Sequence, residues 1–382
     1  MSQSPSIARI VRRPIADPES RESVALVLGA AAFVVGGLIA LLVFGGRTLP
    51  ISGRGSLGDF VGIAAAIAAM VAFVFGCVLR RRQHDAAAAD ADRSRSRVRW
   101  FDIAALTLAH GVIALLGWVG LAAILSLSFV GATVYAPSAA VLAGVAIALS
   151  VYAAFLSAVN LTPMLLSLVL ALFLVVGALA SMLSASDPLW WEKNLSTLGI
   201  SDDISALAFN LTLIIAGVLV TTIAHYATAR LPHATRSEQR GRTLVRLALV
   251  LIGVGLACVG LFPVDEHLEI HNLSATGMAI VYVALVIALR WLVPSMPRIF
   301  ILLGYVFVGV IVVLAAFFIS GYYNLTAVEL VAAVLIFGWL IVFLRNTGAI
   351  EARAHGDERA ATGQPPFDGA APEDVLEAAP AS

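Results

Sequence analysis

Charge is what this sequence has least of. Asp, Glu, Lys and Arg make up 13% of its 382 residues, against roughly 25% in soluble globular domains. With 60% hydrophobic residues and long apolar runs, the chain falls outside the soluble class and into the membrane class. Cysteine is almost missing too. Cys77 and Cys258 lie within apolar runs. Their number and spacing exclude a disulfide framework and match no metal-ligand pattern, so they read as small buried residues. Charge is scarcest inside the apolar runs, where His110, Asn210, His225 and Glu329 are the notable interruptions. A pump or ion-coupled transporter uses several ionisable groups near the bilayer midplane. Their scarcity argues against proton or sodium coupling, and His110 reads as a hydrogen-bonded packing residue.

What is present is a series of spans. A bilayer core needs roughly 20 apolar residues in a helix, and ten candidates meet this, at about 23–45, 59–80, 101–130, 136–158, 163–184, 204–229, 243–262, 271–293, 298–320 and 326–345. Turn chemistry such as "YAPS", "NLTP" and "VPSMP" separates them. The expected fold is all-α, a polytopic helical membrane bundle. The first span is too long for a signal peptide, and no small-residue cleavage site follows it. With a cytoplasmic N-terminus and alternating spans, all of the 24 Lys and Arg residues except Arg47, Arg54 and Lys193 fall on the cytoplasmic side. The positive-inside rule therefore places both termini in the cytoplasm. The basic loop 80–100 reads as a topology determinant beside anionic lipid, with no nucleic-acid partner expected. Residues 1–22 form a cytoplasmic N-terminal segment. The Ala-, Pro- and Gly-rich, acidic stretch 347–382 is expected to be a disordered cytoplasmic tail.

On this orientation the acids and special residues collect outside, in "SASDPLWWEKNLSTLGISDD", "FPVDEHLEIHN" and "SGYYNLT". Trp190, Trp191, Tyr322 and Tyr323 fit an interfacial aromatic belt, with substrate stacking as the alternative. The pattern Asn-Leu-Ser/Thr recurs at Asn160, Asn194, Asn210, Asn272 and Asn324. It is not a coherent glycosylation set, and capping of helix starts accounts better for Asn160, Asn272 and Asn324. If the eighth helix begins early, His267 and His271 lie one turn apart and could share a metal such as zinc with Asp265. "HLEIH" nevertheless lacks the Glu position of H-E-x-x-H, and the plainer reading is acids stabilising a helix N-terminus. If the sixth and seventh spans are neighbours, Ser196, Asp265 and His271 could meet as a nucleophilic or metal-assisted site for a lipid ester. Trp191, Glu192, Asn194, Asn210 and Glu329 are then the candidates for substrate contact.

At these residues the chain resembles a known group. "STLG" at Ser196–Gly199, "FN" at Phe209–Asn210 followed by "LIIAGVL", and "GVGLACVGLFPVD" followed by His271 are similar to the bacterial multi-pass family called domain of unknown function 998. That family looks distantly like the Frag/DRAM/Sfk-type membrane proteins, some of them linked to lipid remodelling. The resemblance covers about residues 160–346 and implies a six-helix core (159–346) with signature residues Ser196, Asn210, Asp265 and His271 outside. The four-helix stretch 23–158 would be an added module. It also implies a bacterial plasma-membrane location, with membrane lipids as partners. Three functions follow as expectations: lipid binding or organisation without catalysis, head-group hydrolysis or remodelling, and transport of a small molecule or lipid.

Overall fold

The computed structural model describes residues 15, 17–88, 100–200, 204–229, 231 and 235–361. Ten helices follow one another: α1 (Pro18–Phe44), α2 (Leu57–Ala88), α3 (Trp100–Ser128), α4 (Ala136–Val159), α5 (Pro163–Leu183), α6 (Ile204–Ala229), α7 (Arg236–Leu261), α8 (Leu268–Leu292), α9 (Arg298–Ile319) and α10 (Leu325–Ala361). Each contains a stretch long and apolar enough to cross a membrane. Two elements fall outside the all-α expectation. Strands β1 (Thr48–Pro50) and β2 (Thr133–Tyr135) pair antiparallel, with Leu49 opposite Val134. They join the α1–α2 and α3–α4 connections, and their three-residue length leaves no alternation for a sequence reading to detect.

Helix ends explain most of the boundary differences. Helix α7 begins at Arg236 rather than at residue 243 because Thr235 and Glu238 form a reciprocal capping box. The polar first turns then precede the apolar run. Helix α8 begins at Leu268 rather than 271, with His267 at the N-cap. Asn272 is therefore inside a helix and caps nothing. Asn160 ends α4, and the start of α5 belongs to Thr162, whose hydroxyl accepts the Leu165 N–H at 3.2 Å. Asn324 does cap, accepting the Ala327 N–H at 3.0 Å. Helix α10 continues to Ala361, so the first part of the stretch expected as a tail is helical. Most of loop 80–100, and residues 1–14 and 362–382, lie outside the described residues.

Helices α1–α4 pack mainly among themselves, through α1 on α4 and α2 on both α3 and α4. Helices α5 to α10 form a ring in which each packs on the next and α10 returns to α5. The two groups meet where α3 lies against α5 and α6. The tightest seam of the ring is α6 on α7. A Cβ at Gly217 would strike the Gly253 carbonyl and Ala257, so these backbones touch directly, as small residues allow between membrane helices. Tyr282, Trp339, Phe300 and Phe343 form an aromatic core among α8, α9 and α10. Helix α9 is the least covered, and Ile299, Leu302, Val312 and Ile319 point away from the protein.

Candidate functional site at the Ser196 end

Because the helices alternate in direction, the connections α5–α6, α7–α8 and α9–α10 fall at one end of the ring. They meet there. The α5–α6 connection holds two short 3-10 turns, Trp190–Glu192 and Leu195–Gly199. Asn194 starts the second turn, its Oδ1 accepting the Thr197 N–H at 2.9 Å and the Thr197 hydroxyl at 3.1 Å.

Four further bonds fasten these turns to three helices. The Leu195 N–H donates to Glu329 Oε2 of α10 at 2.6 Å. The Asn210 side-chain amide of α6 donates to the Gly199 carbonyl at 3.0 Å. Asn324 Nδ2, just before α10, donates to the Trp191 carbonyl at 2.9 Å. Ser196 Oγ lies 2.9 Å from His271 Nε2 of α8. A side chain at Gly199 would displace Asn210, since a Cβ would lie 2.5 Å from Asn210 Oδ1. Ser181 and Ser205, both buried, tie the start of α6 to the end of α5.

The tautomer of His271 follows from its partners. Its Nδ1 lies 2.8 Å from the Phe262 carbonyl oxygen, which can only accept. Nδ1 therefore carries a proton, and in the neutral ring Nε2 is then the acceptor to which Ser196 O–H donates. The imidazole is 4% exposed. It is held in that orientation by a backbone group of the turn that precedes its own helix. A hydroxyl donating to a fixed neutral imidazole is the starting arrangement for a serine nucleophile and its base. It is also a strong way to pin a loop to a helix.

Asp265 is not part of this pair. It is exposed on the α7–α8 turn, and the position a carboxylate would occupy behind His271 is filled by the Phe262 carbonyl. His267 and His271 are one turn apart, as the spacing suggested, and the His271 N–H donates to the His267 carbonyl at 2.9 Å. Their rings nevertheless diverge. His267 is exposed beside Glu266, at 3.8 Å, and edge-on to Phe262, while His271 turns inward. Among the described residues no group of three or more His, Cys, Asp or Glu side chains is placed to hold a metal ion. Asp265, His267 and His271 as arranged do not fit zinc.

The substrate-contact candidates divide in the same way. Asn194, Asn210 and Glu329 are bonded to the backbone of the platform, whereas Trp191 and Glu192 are exposed on it. Lys193 lies 3.9 Å from Asp187 across the same surface. The group missed by reading residue types was the Phe262 carbonyl, a backbone atom with no signature in the sequence. His110 is a second histidine with both nitrogens engaged, by the Leu106 carbonyl at 2.7 Å and Ser157 Oγ at 2.8 Å, and it stacks on Phe73. This is the packing role expected of it.

No curated protein and no solved structure matches the chain. A family model described as "Protein of unknown function (DUF998)" matches residues 167–346. That segment runs from the first turns of α5 into α10 and contains Ser196, Asn210, His271 and Glu329, so the DUF998 match falls on the ring of six membrane-spanning helices and its platform.

Proposed function

We propose that this protein binds and organises lipid head groups at the outer face of the bacterial plasma membrane, with both termini cytoplasmic and the α1–α4 group acting as a module added to the six-helix core. The observation that carries the reading is the construction of the 3-10 platform. Its polar side chains are largely spent on fixing its own backbone to α6, α8 and α10. Leu189, Trp191, Ile200 and Tyr322 remain exposed at that end of the bundle. A rigid surface carrying aromatic side chains suits the head-group region, where amphipathic rings have one apolar side and one wet side. The arginine distribution supports the orientation.

A second reading is favoured by the Ser196–His271 geometry. Ser196 Oγ would attack the carbonyl carbon of a lipid ester as its proton passes to His271 Nε2. That proton would then leave with the alcohol, and water would release the acid from the acyl-serine.

One experiment separates the two. The purified protein is extracted for bound lipid and, in parallel, treated with a fluorophosphonate probe. Head-group binding predicts a defined lipid class whose amount falls in Trp191→Ala and Asn324→Ala, with Ser196 unlabelled. Labelling of Ser196 that His271→Ala abolishes would replace binding with hydrolysis. The same lipid content in every variant would remove the binding reading.

A further inference from the structure

The opposite end of the bundle holds a polar cluster that the platform does not involve. Arg21, in the first turn of α1, and Arg80, near the end of the apolar run of α2, converge on the α4–α5 connection. Arg21 Nη1 donates to Asn160 Oδ1 at 2.8 Å, and its Nε donates to the Ile15 carbonyl at 3.0 Å. Arg80 Nη2 reaches the Leu161 carbonyl at 3.5 Å. Asn160 and Leu161 are consecutive, so two guanidinium groups sit side by side and their charges oppose one another. Among the described residues neither is paired with a carboxylate. Arg80 Nη1 is buried without a hydrogen-bond partner, and so is Nη1 of Arg81, whose guanidinium lies 5.0 Å from the centre of the Trp100 ring.

Cations gathered and desolvated in this way are unfavourable unless an anion joins them. The donors left over are guanidinium N–H groups, whose planar fork matches two oxygens of a phosphate. Their depth is also informative. Arg80 directly follows Leu79, the last residue of the apolar run of α2, so its head can reach the membrane surface while its stem stays among apolar neighbours.

We propose that Arg21 and Arg80 form a binding site for the phosphate of an anionic lipid, seated on the Asn160–Leu161 turn between the first four helices and the remaining six. The site lies at the seam of the two groups. Tyr226 of α6 donates to Asp102 of α3 at 3.4 Å beside it, and the Asn160–Leu161 turn is the covalent link across the seam. A lipid held there braces the two groups against each other. Basic pockets between membrane helices on the cytoplasmic side are suited to such head groups, and this site needs neither function proposed for the platform.

The test uses the full chain, stripped of lipid in neutral detergent and titrated separately with short-chain phosphatidylglycerol, phosphatidylcholine and inorganic phosphate. Binding is read by native mass spectrometry. Phosphatidylglycerol should bind in preference to phosphatidylcholine, and its affinity should fall with added salt. Arg80→Gln should weaken it by about fivefold, and Arg21→Gln with Arg80→Gln by about twentyfold or more. Arg82→Gln, at an exposed position of the same helix, should leave it unchanged. Arg80→Lys keeps the charge without the fork, so it should fold if charge is what folding needs and should still bind more weakly than the parent. Equal binding of phosphatidylglycerol by parent, Arg80→Lys and the double variant would overturn the site. So would equal binding of both lipids, or phosphate binding as tightly as the lipid, which would mark a site for the free anion.

Discussion

Replacing Ser196 and His271 singly and together tests the contact that fastens the platform to α8. Ser196→Ala removes one hydrogen bond and leaves the Nε2 of a histidine that is 4% exposed without a donor. A bond of this kind contributes about 1 kcal/mol net, and an acceptor left buried and unpaired costs about 1–3 kcal/mol. A loss of about 1–2 kcal/mol is therefore expected. His271→Ala removes two bonds, strands the Phe262 carbonyl and opens space beneath the platform, and should cost about 2–4 kcal/mol. The double variant is the informative one. Once the imidazole is gone, the serine hydroxyl has no buried partner to satisfy. The two costs should therefore fall short of additivity by about 1 kcal/mol, within the range seen for groups in direct contact. Denaturing-detergent titration in mixed micelles, where unfolding can be followed reversibly, gives all four corners of the cycle. A coupling within about 0.3 kcal/mol of zero would refute the reasoning, because residues that share a bond do not behave as independent sites.

Other perturbations reach other parts of the molecule. Glu329→Ala frees the Leu195 N–H, so hydrogen exchange at that amide should accelerate by about tenfold or more while amides in α1 stay unchanged. Gly253→Leu drives a side chain into Gly217 and Thr221 of α6; overpacking at this seam should cost about 1–3 kcal/mol, read in the same micellar titration. Thr235→Ala breaks the capping box of α7 and should cost about 1 kcal/mol, with faster exchange confined to the first turn of that helix. A single cysteine at Lys193, in a chain with Cys77 and Cys258 replaced, should react with a membrane-impermeant maleimide on intact cells. The same residue at Arg82 should react only after permeabilisation; the reverse pattern would invert the orientation.

The parts of this molecule that were legible in advance are those fixed by the solvent around them. A bilayer demands long apolar helices with internally satisfied backbones, and hydropathy alone located all ten. Boundaries failed where a side chain, not the membrane, decided them. Thr235 and Glu238 extend α7 outward through a polar turn that no apolar count includes. At the candidate site, residue type pointed to Ser196 and His271, which do meet, and to Asp265, which does not join them. A sequence displays carboxylates but hides carbonyls, and the turn at Pro263 directs the Phe262 oxygen to the place where an acid was sought. The consequence reaches the function. A carboxylate behind the imidazole would stabilise the imidazolium that forms when serine gives up its proton. A carbonyl fixes the tautomer and supplies only a dipole toward that charge. The pair is thus better built to hold Ser196 than to turn over rapidly, and this is why the platform reads first as a fixed surface for head groups and second as an enzyme.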